Sequence, residues 1–279
     1  MTRLVDTEHQ IIAENDGPAP ITVRVTIAGE NFATDLQWPV TAIVPPHSVL
    51  TLGRVRPAGP VGANYRIRCE YNYHFGRADA VHDGRELYRL PFEDGRGFAV
   101  SQAYGGRLTS HDNIENRYAV DFAMPVGSMV TAARDGVVID VNSHYHEGSK
   151  DPGFRDKANT VAVAHDDGTI AEYAHLAPGP AIVAAGQRVA AGELLGYSGS
   201  TGFTTGPHLH FVVSRPSISK DRISRASVPV VFYTGNRANS FSARAGATVW
   251  ASYGDGTRAT RTAIADPDWP ARSASVGGL

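Results

Sequence analysis

Short runs in which apolar and polar residues alternate recur along most of the chain, broken by glycine, proline and Asp-Gly pairs. This is the two-residue period of half-buried strands rather than the 3.6-residue period of helices. Residues 21–27 (Ile-Thr-Val-Arg-Val-Thr-Ile) are the cleanest case, followed by runs at 42–46, 48–52, 64–72 and 86–90. Their number and spacing predict a small antiparallel sandwich of immunoglobulin-like type. Residues 91–97, with Asp94-Gly95, read as a linker. From Phe98 the texture changes. Residues 130–141 predict a hairpin around Asp135-Gly136, and 160–165 with 169–175 a second around Asp167-Gly168. A third turn is expected at Gly186, and further strands at 194–197, 208–213 and 228–232. Six or more antiparallel strands in this span make a barrel or a folded sheet. After Gly246 large apolar residues become scarce, so the tail beyond Ser252 is expected to be weakly ordered. The expected organisation is an extension (1–19), a sandwich (20–96), a second β-rich domain (97–235) and a C-terminal extension (236–279). The fold class is therefore all-β.

Composition limits the function classes. The chain has 279 residues, 42% of them apolar, enough for a real core in one large or two ordinary domains. Lys and Arg total 26 against 28 Asp and Glu, so there is no basic excess and no nucleic-acid partner is expected. Cys69 is the only cysteine, which rules out an internal disulfide framework. It sits in the alternating run 65–70 and reads as a small, semi-buried strand residue. No run is long enough to form a transmembrane segment. Residues 1–17 lack an apolar h-region, so no secretion signal is expected there.

Chemistry concentrates in the second half. His208 and His210 are separated by one residue in Pro207-His208-Leu209-His210. On a strand, residues i and i+2 share a face, so both rings can meet at one divalent metal. A catalytic zinc site commonly has three protein ligands and an open position, drawn from His, Asp and Glu where Cys is lacking. Asp121 stands in an apolar run, Tyr118 to Pro125, where an unpaired charge would be costly. His111 lies ten positions before it, and His175 ends the run Tyr173-Ala174-His175-Leu176. His144 and His146 share the i, i+2 spacing, but their loop is polar and reads as a groove lining. His74 reads as a strand surface residue. Gly196-Tyr197-Ser198-Gly199-Ser200 does not fit the nucleophile elbow of serine hydrolases, because its last position is Ser.

Three segments together, 116–127 around Asp121, 173–176 around His175, and 199–211 with its glycines and the His208/His210 pair, resemble the lysostaphin/LytM-type zinc metalloendopeptidases. The resemblance covers about residues 102–213. It implies a LytM-type antiparallel β-barrel or groove domain, one catalytic zinc ion, and peptide bonds of bacterial peptidoglycan as substrate. It also implies roles: Asp121 and His210 as zinc ligands, with His208 and His175 flanking the attacked carbonyl. One departure stands out. The common family form is His-x-x-x-Asp, and four positions before Asp121 stands Arg117, which cannot ligate a metal because it stays protonated. A LasA-like branch lengthens this gap, and His111 is the expected third ligand. Without it the site would keep Asp121 and His210 only and bind zinc poorly.

On this resemblance His208 is the leading general base and His175 an oxyanion stabiliser or proton shuttle, with the two roles exchangeable. Tyr104 and Tyr118 are candidate substrate-binding donors, though a core role suits each. The function implied is a zinc-dependent endopeptidase acting on stem or cross-bridge peptides of the cell wall, in the periplasm or outside the cell. The alternative is a non-catalytic LytM-like protein that binds wall or activates an amidase.

Overall fold

In the computed structural model, which describes residues 2–5, 8–60, 64–106, 109–219 and 222–254, the alternating runs become strands almost throughout. Among these residues the one helical element is a 3-10 turn, Pro152–Phe154. Among the described residues no helix is long and apolar enough to cross a membrane.

The N-terminal half folds as two sheets face to face. One has the order Thr2–Val5, Glu8–Asn15, Ser48–Pro57, Phe32–Thr34; the other has Val40–Val44, Ile21–Glu30, Arg66–Phe75. Ile21, Val23, Val25 and Ile27 turn inward onto Ile11, Val44, Leu52 and Val55, which is the burial that their alternation demands. Among the described residues Arg66–Phe75 is an edge strand that pairs only with Ile21–Glu30, and Cys69 on it is exposed rather than semi-buried.

The rest of the chain is organised by a nine-stranded sheet. Its path runs Arg188–Val189, Gly136–Asn142, Thr160–Ala164, Ile170–Ala174, Leu209–Ile218, Val120–Ala123, Gly97–Gln102, Thr248–Trp250, with Ile223–Ser227 alongside Leu209–Ile218. One face is packed with Phe122, Tyr173, Phe211, Phe232 and Tyr88, all fully buried. No closed barrel forms among the described residues. The outermost strands of the path, Arg188–Val189 and Thr248–Trp250, are only two and three residues long and do not pair with each other.

Two local expectations are corrected. The hairpin around Asp135-Gly136 does not form. Met129–Thr131 pairs with Leu194–Tyr197, whereas Gly136–Asn142 pairs with Thr160–Ala164 and Arg188–Val189. The Asp135 carboxylate accepts the Ala191 N–H at 2.7 Å, and a Cβ on Gly136 would lie 2.4 Å from the Ala164 carbonyl oxygen. The Asp-Gly pair therefore serves close strand approach rather than a tight turn. The run at 86–90 leaves the sandwich: Leu87–Arg89 pairs in parallel with Val231–Thr234. From residue 255 onward the expected weakly ordered tail lies outside the described residues.

Candidate metal centre

Register brings the first two side chains together. Asp121 is the cross-strand partner of His210 on one side and of Gln102 on the other. Because Leu209, Phe211 and Val213 turn into the core, His210 must take the opposite face, and Asp121 follows it. The third side chain comes from the loop between Gly97–Gln102 and Val120–Ala123, which carries His111 back over the strand. His111 Nε2 lies 3.3 Å from Asp121 Oδ2, and His210 Nδ1 lies 2.8 Å from Asp121 Oδ1. One ligand atom from each of the three residues lies within 4.8 Å of the others. All three side chains are shielded, with exposures of 6%, 3% and 12% for His111, Asp121 and His210. Arg117 is exposed.

This donor set fits a divalent cation. Two imidazole nitrogens and a carboxylate leave one tetrahedral position open. With metal–ligand bonds of about 2.0–2.1 Å, neighbouring donors of a tetrahedron stand roughly 3.3–3.4 Å apart, and the His111–Asp121 separation of 3.3 Å has that spacing. Burial acts to raise the Asp121 carboxyl pKa. Hydrogen bonds from His111 and His210 outweigh it and hold the group far below the usual carboxylate range. Burial acts to lower the His210 pKa, and the Asp121 hydrogen bond reverses the sign and raises it. A carboxylate ionised at any working pH is the state that a cation requires.

His175 and His208 stand beside this group. Their ring centroids are 4.5 Å apart, and His208 Nε2 is 3.9 Å from Asp121 Oδ2. His175 follows the strand Ile170–Ala174 with φ of 63°, a left-handed conformation that turns the chain out of the sheet. Its Nδ1 lies 2.7 Å from the Thr201 carbonyl oxygen, and His208 Nδ1 lies 2.9 Å from that of Gly206. A carbonyl can only accept, so in each neutral ring Nδ1 carries the proton and Nε2 keeps its lone pair. Burial, with the neighbouring His208 and His210, pushes the His175 pKa down to about 4. Thr201 is itself fixed: its hydroxyl donates to the Leu176 carbonyl at 2.9 Å and accepts the Asn159 N–H at 3.0 Å.

Tyr104 and Tyr118 pack edge to face with centroids 5.3 Å apart, both half-buried. His144 and His146 line a separate cavity of about 310 Å³ with Tyr145, Glu147, Phe154 and Lys157. Gln102, Asn159 and Thr201 escape a reading of the sequence, because a lone polar residue carries no periodic or spacing signal. In retrospect only the cross-strand register of Gln102 with Asp121 could have pointed to it.

Residues 115–222 match peptidase family M23. That span contains Asp121, His175, His208 and His210 but not His111. Over 91 residues, 33% of this chain and 18% of the relative, the chain is 38% identical to the peptidoglycan DD-endopeptidase ShyA of Vibrio cholerae serotype O1. Over 128 residues, 46% of this chain and 32% of the relative, it is 34% identical to the glycyl-glycine endopeptidase ALE-1 of Staphylococcus capitis. The chain thus spans less than a third of the length of either relative. Among solved structures it is similar to the antimicrobial peptidase lysostaphin from Staphylococcus simulans, 29% identical with 46% of each chain covered and a TM-score of 0.33.

Proposed function

We propose that this chain, whose residues 115–222 match peptidase family M23, is a zinc-dependent endopeptidase cleaving peptide bonds of bacterial peptidoglycan. The observation that carries the reading is the convergence of ligand atoms from His111, Asp121 and His210 within 4.8 Å, next to two imidazoles with bare Nε2 atoms. The relatives named for peptidoglycan and glycyl-glycine endopeptidase activity support the substrate class. That substrate lies outside the cytoplasm, so the working compartment in this reading is periplasmic or extracellular.

His111, Asp121 and His210 would hold the ion. Zinc, when bound, acts as a Lewis acid toward the scissile carbonyl and acidifies water. The protein's own groups handle the proton. His208 Nε2, the nearer of the two bare nitrogens to Asp121, takes the proton from the attacking water and returns it to the leaving amine. His175, its ring centroid 4.5 Å from that of His208, is placed either to relay that proton or to donate to the developing oxyanion. The Thr201 and Gly206 carbonyls keep both Nε2 atoms aimed at the site.

The test is release of soluble peptides from purified peptidoglycan by the full chain, as purified, after chelation, and after zinc is restored. Loss and recovery are expected. Cleavage indifferent to chelation removes the metal from the mechanism, and zinc-loaded protein that binds wall without cleaving it favours a binding module instead.

A further inference from the structure

The family's usual four-residue spacing puts the first ligand close to Asp121 along one strand approach. Here Arg117 occupies that position, and the histidine comes from a longer excursion between two paired strands. Strand register does not fix such a ligand, so something else must hold the loop at the carboxylate.

Gln102 does so with both ends of its side chain. Its Oε1 accepts the backbone N–H of Ser110 at 2.7 Å and the Ser110 hydroxyl at 3.1 Å. Its Nε2 donates to Asp121 Oδ2 at 2.9 Å. The amide has one chemically allowed orientation, since a backbone N–H must face the oxygen and a carboxylate must face the nitrogen. Ser110 immediately precedes His111, whose own N–H is held by Thr109 Oγ1 at 3.1 Å. One side chain therefore reaches from the carboxylate to the residue adjoining the outlying imidazole.

We propose that Gln102 is the positioning residue of the metal centre: it locks the His111 loop to Asp121 and thereby sets the affinity for the ion. The inference rests on the metal-dependent reading of the site. Groups that orient metal ligands typically change affinity by about 10–100-fold when removed. Gln102 has two such tasks, carboxylate orientation and loop closure.

The experiment measures zinc affinity of the full chain by chelator competition and records the visible spectrum of the cobalt-substituted protein. Gln102→Met keeps length and volume while deleting both hydrogen-bonding ends. It is expected to weaken zinc binding about 10–100-fold and to change the cobalt spectrum, while the melting temperature of the metal-free protein changes little. Gln102→Leu, which suits a strand position, serves with the same expectation if the Met variant does not fold. Ser110→Ala keeps the backbone N–H and should stay within about threefold of the parent chain. If the parent chain binds zinc and Gln102→Met binds it equally well with the same cobalt spectrum, this inference is overturned and the metal reading stands. If the parent chain binds no zinc, both fall together.

Discussion

A single rule explains three histidines with different fates: each has Nδ1 against a backbone carbonyl, which fixes its tautomer. For His175 and His208 the bare Nε2 faces the candidate metal centre. For His165, Nδ1 donates to the Asp135 carbonyl at 2.9 Å, and Nε2 is buried without a hydrogen-bond partner. Burial is the largest influence on His165, and with the nearby Arg134 charge it lowers the pKa to about 4. The unfolded chain therefore binds a proton at pH values where the folded chain does not. Stability is full above about pH 6.5, falls as pH drops through that value, and levels off below about pH 4, a loss of about 3 kcal/mol from this ring. His165→Gln, which keeps a donor for Asp135, should flatten that part of the profile when urea midpoints are compared from pH 7 to 4. An unchanged acid slope would show that other groups carry it. At this scale the candidate site was half legible. The His208/His210 spacing and Asp121 in an apolar run speak through chemistry visible in the sequence. His111 needed a loop closure, and Gln102 needed a register, and neither is a local property.

Elements repeat the lesson in another form. Alternation located the strands at 21–27 and 160–175 because burial of one face is a local pattern. It could not choose partners. Asp135-Gly136 looks like a hairpin turn, yet the chain there passes from one sheet to another. Partners are chosen by long-range polar ties, and the cluster beneath His175 is an example. Asn159 is fully buried; its Oδ1 accepts the Tyr145 N–H, and its Nδ2 donates to the carbonyls of Tyr145 and Leu176. Through Thr201 the same cluster reaches the carbonyl that fixes the His175 ring. Thr201→Val would leave the buried Asn159 N–H without its partner, while the Leu176 carbonyl keeps the Asn159 Nδ2 donor, and this is expected to lower stability by about 1–3 kcal/mol. Bound zinc should be retained, while peptide release falls about tenfold because the His175 ring loses its fixed aim. Denaturant midpoints, metal content and turnover measured on one preparation check this. Turnover that fell only in step with lost zinc would place the effect at the metal instead.

At the scale of the whole molecule, the N-terminal sandwich and the large sheet share a seam. Phe75 packs with Ala19, Ile139, Ala164 and Ile170, a cluster that joins residues from both halves, and it also touches the sandwich core. A backbone tie runs beside it, from the Arg77 N–H to the Gly168 carbonyl. Asn72 donates to the Ile223 carbonyl at 2.7 Å. The seam lies on the face that carries the metal centre: Ile170 pairs with Ser214, and Ala174 pairs with His210 on the same two strands. Four residues of strand put the covered end about 13 Å from His210. The sandwich thus packs on the sheet face that carries the site rather than standing as a remote appendage. A shared seam of this kind couples the two halves in unfolding. The intact chain should give one urea transition with coincident midpoints whether followed by near-ultraviolet circular dichroism or, with Trp250 and Trp269 replaced by Phe, by fluorescence of Trp38, which packs against the sandwich core. Phe75 is only partly buried, so Phe75→Ala is expected to cost about 2–4 kcal/mol and to draw the two signals apart, the sandwich unfolding first. Zinc should raise only the later transition, because ligand binding stabilises the unit that contains its site. An intact chain that already unfolds in two separate steps would show that the seam is an incidental contact.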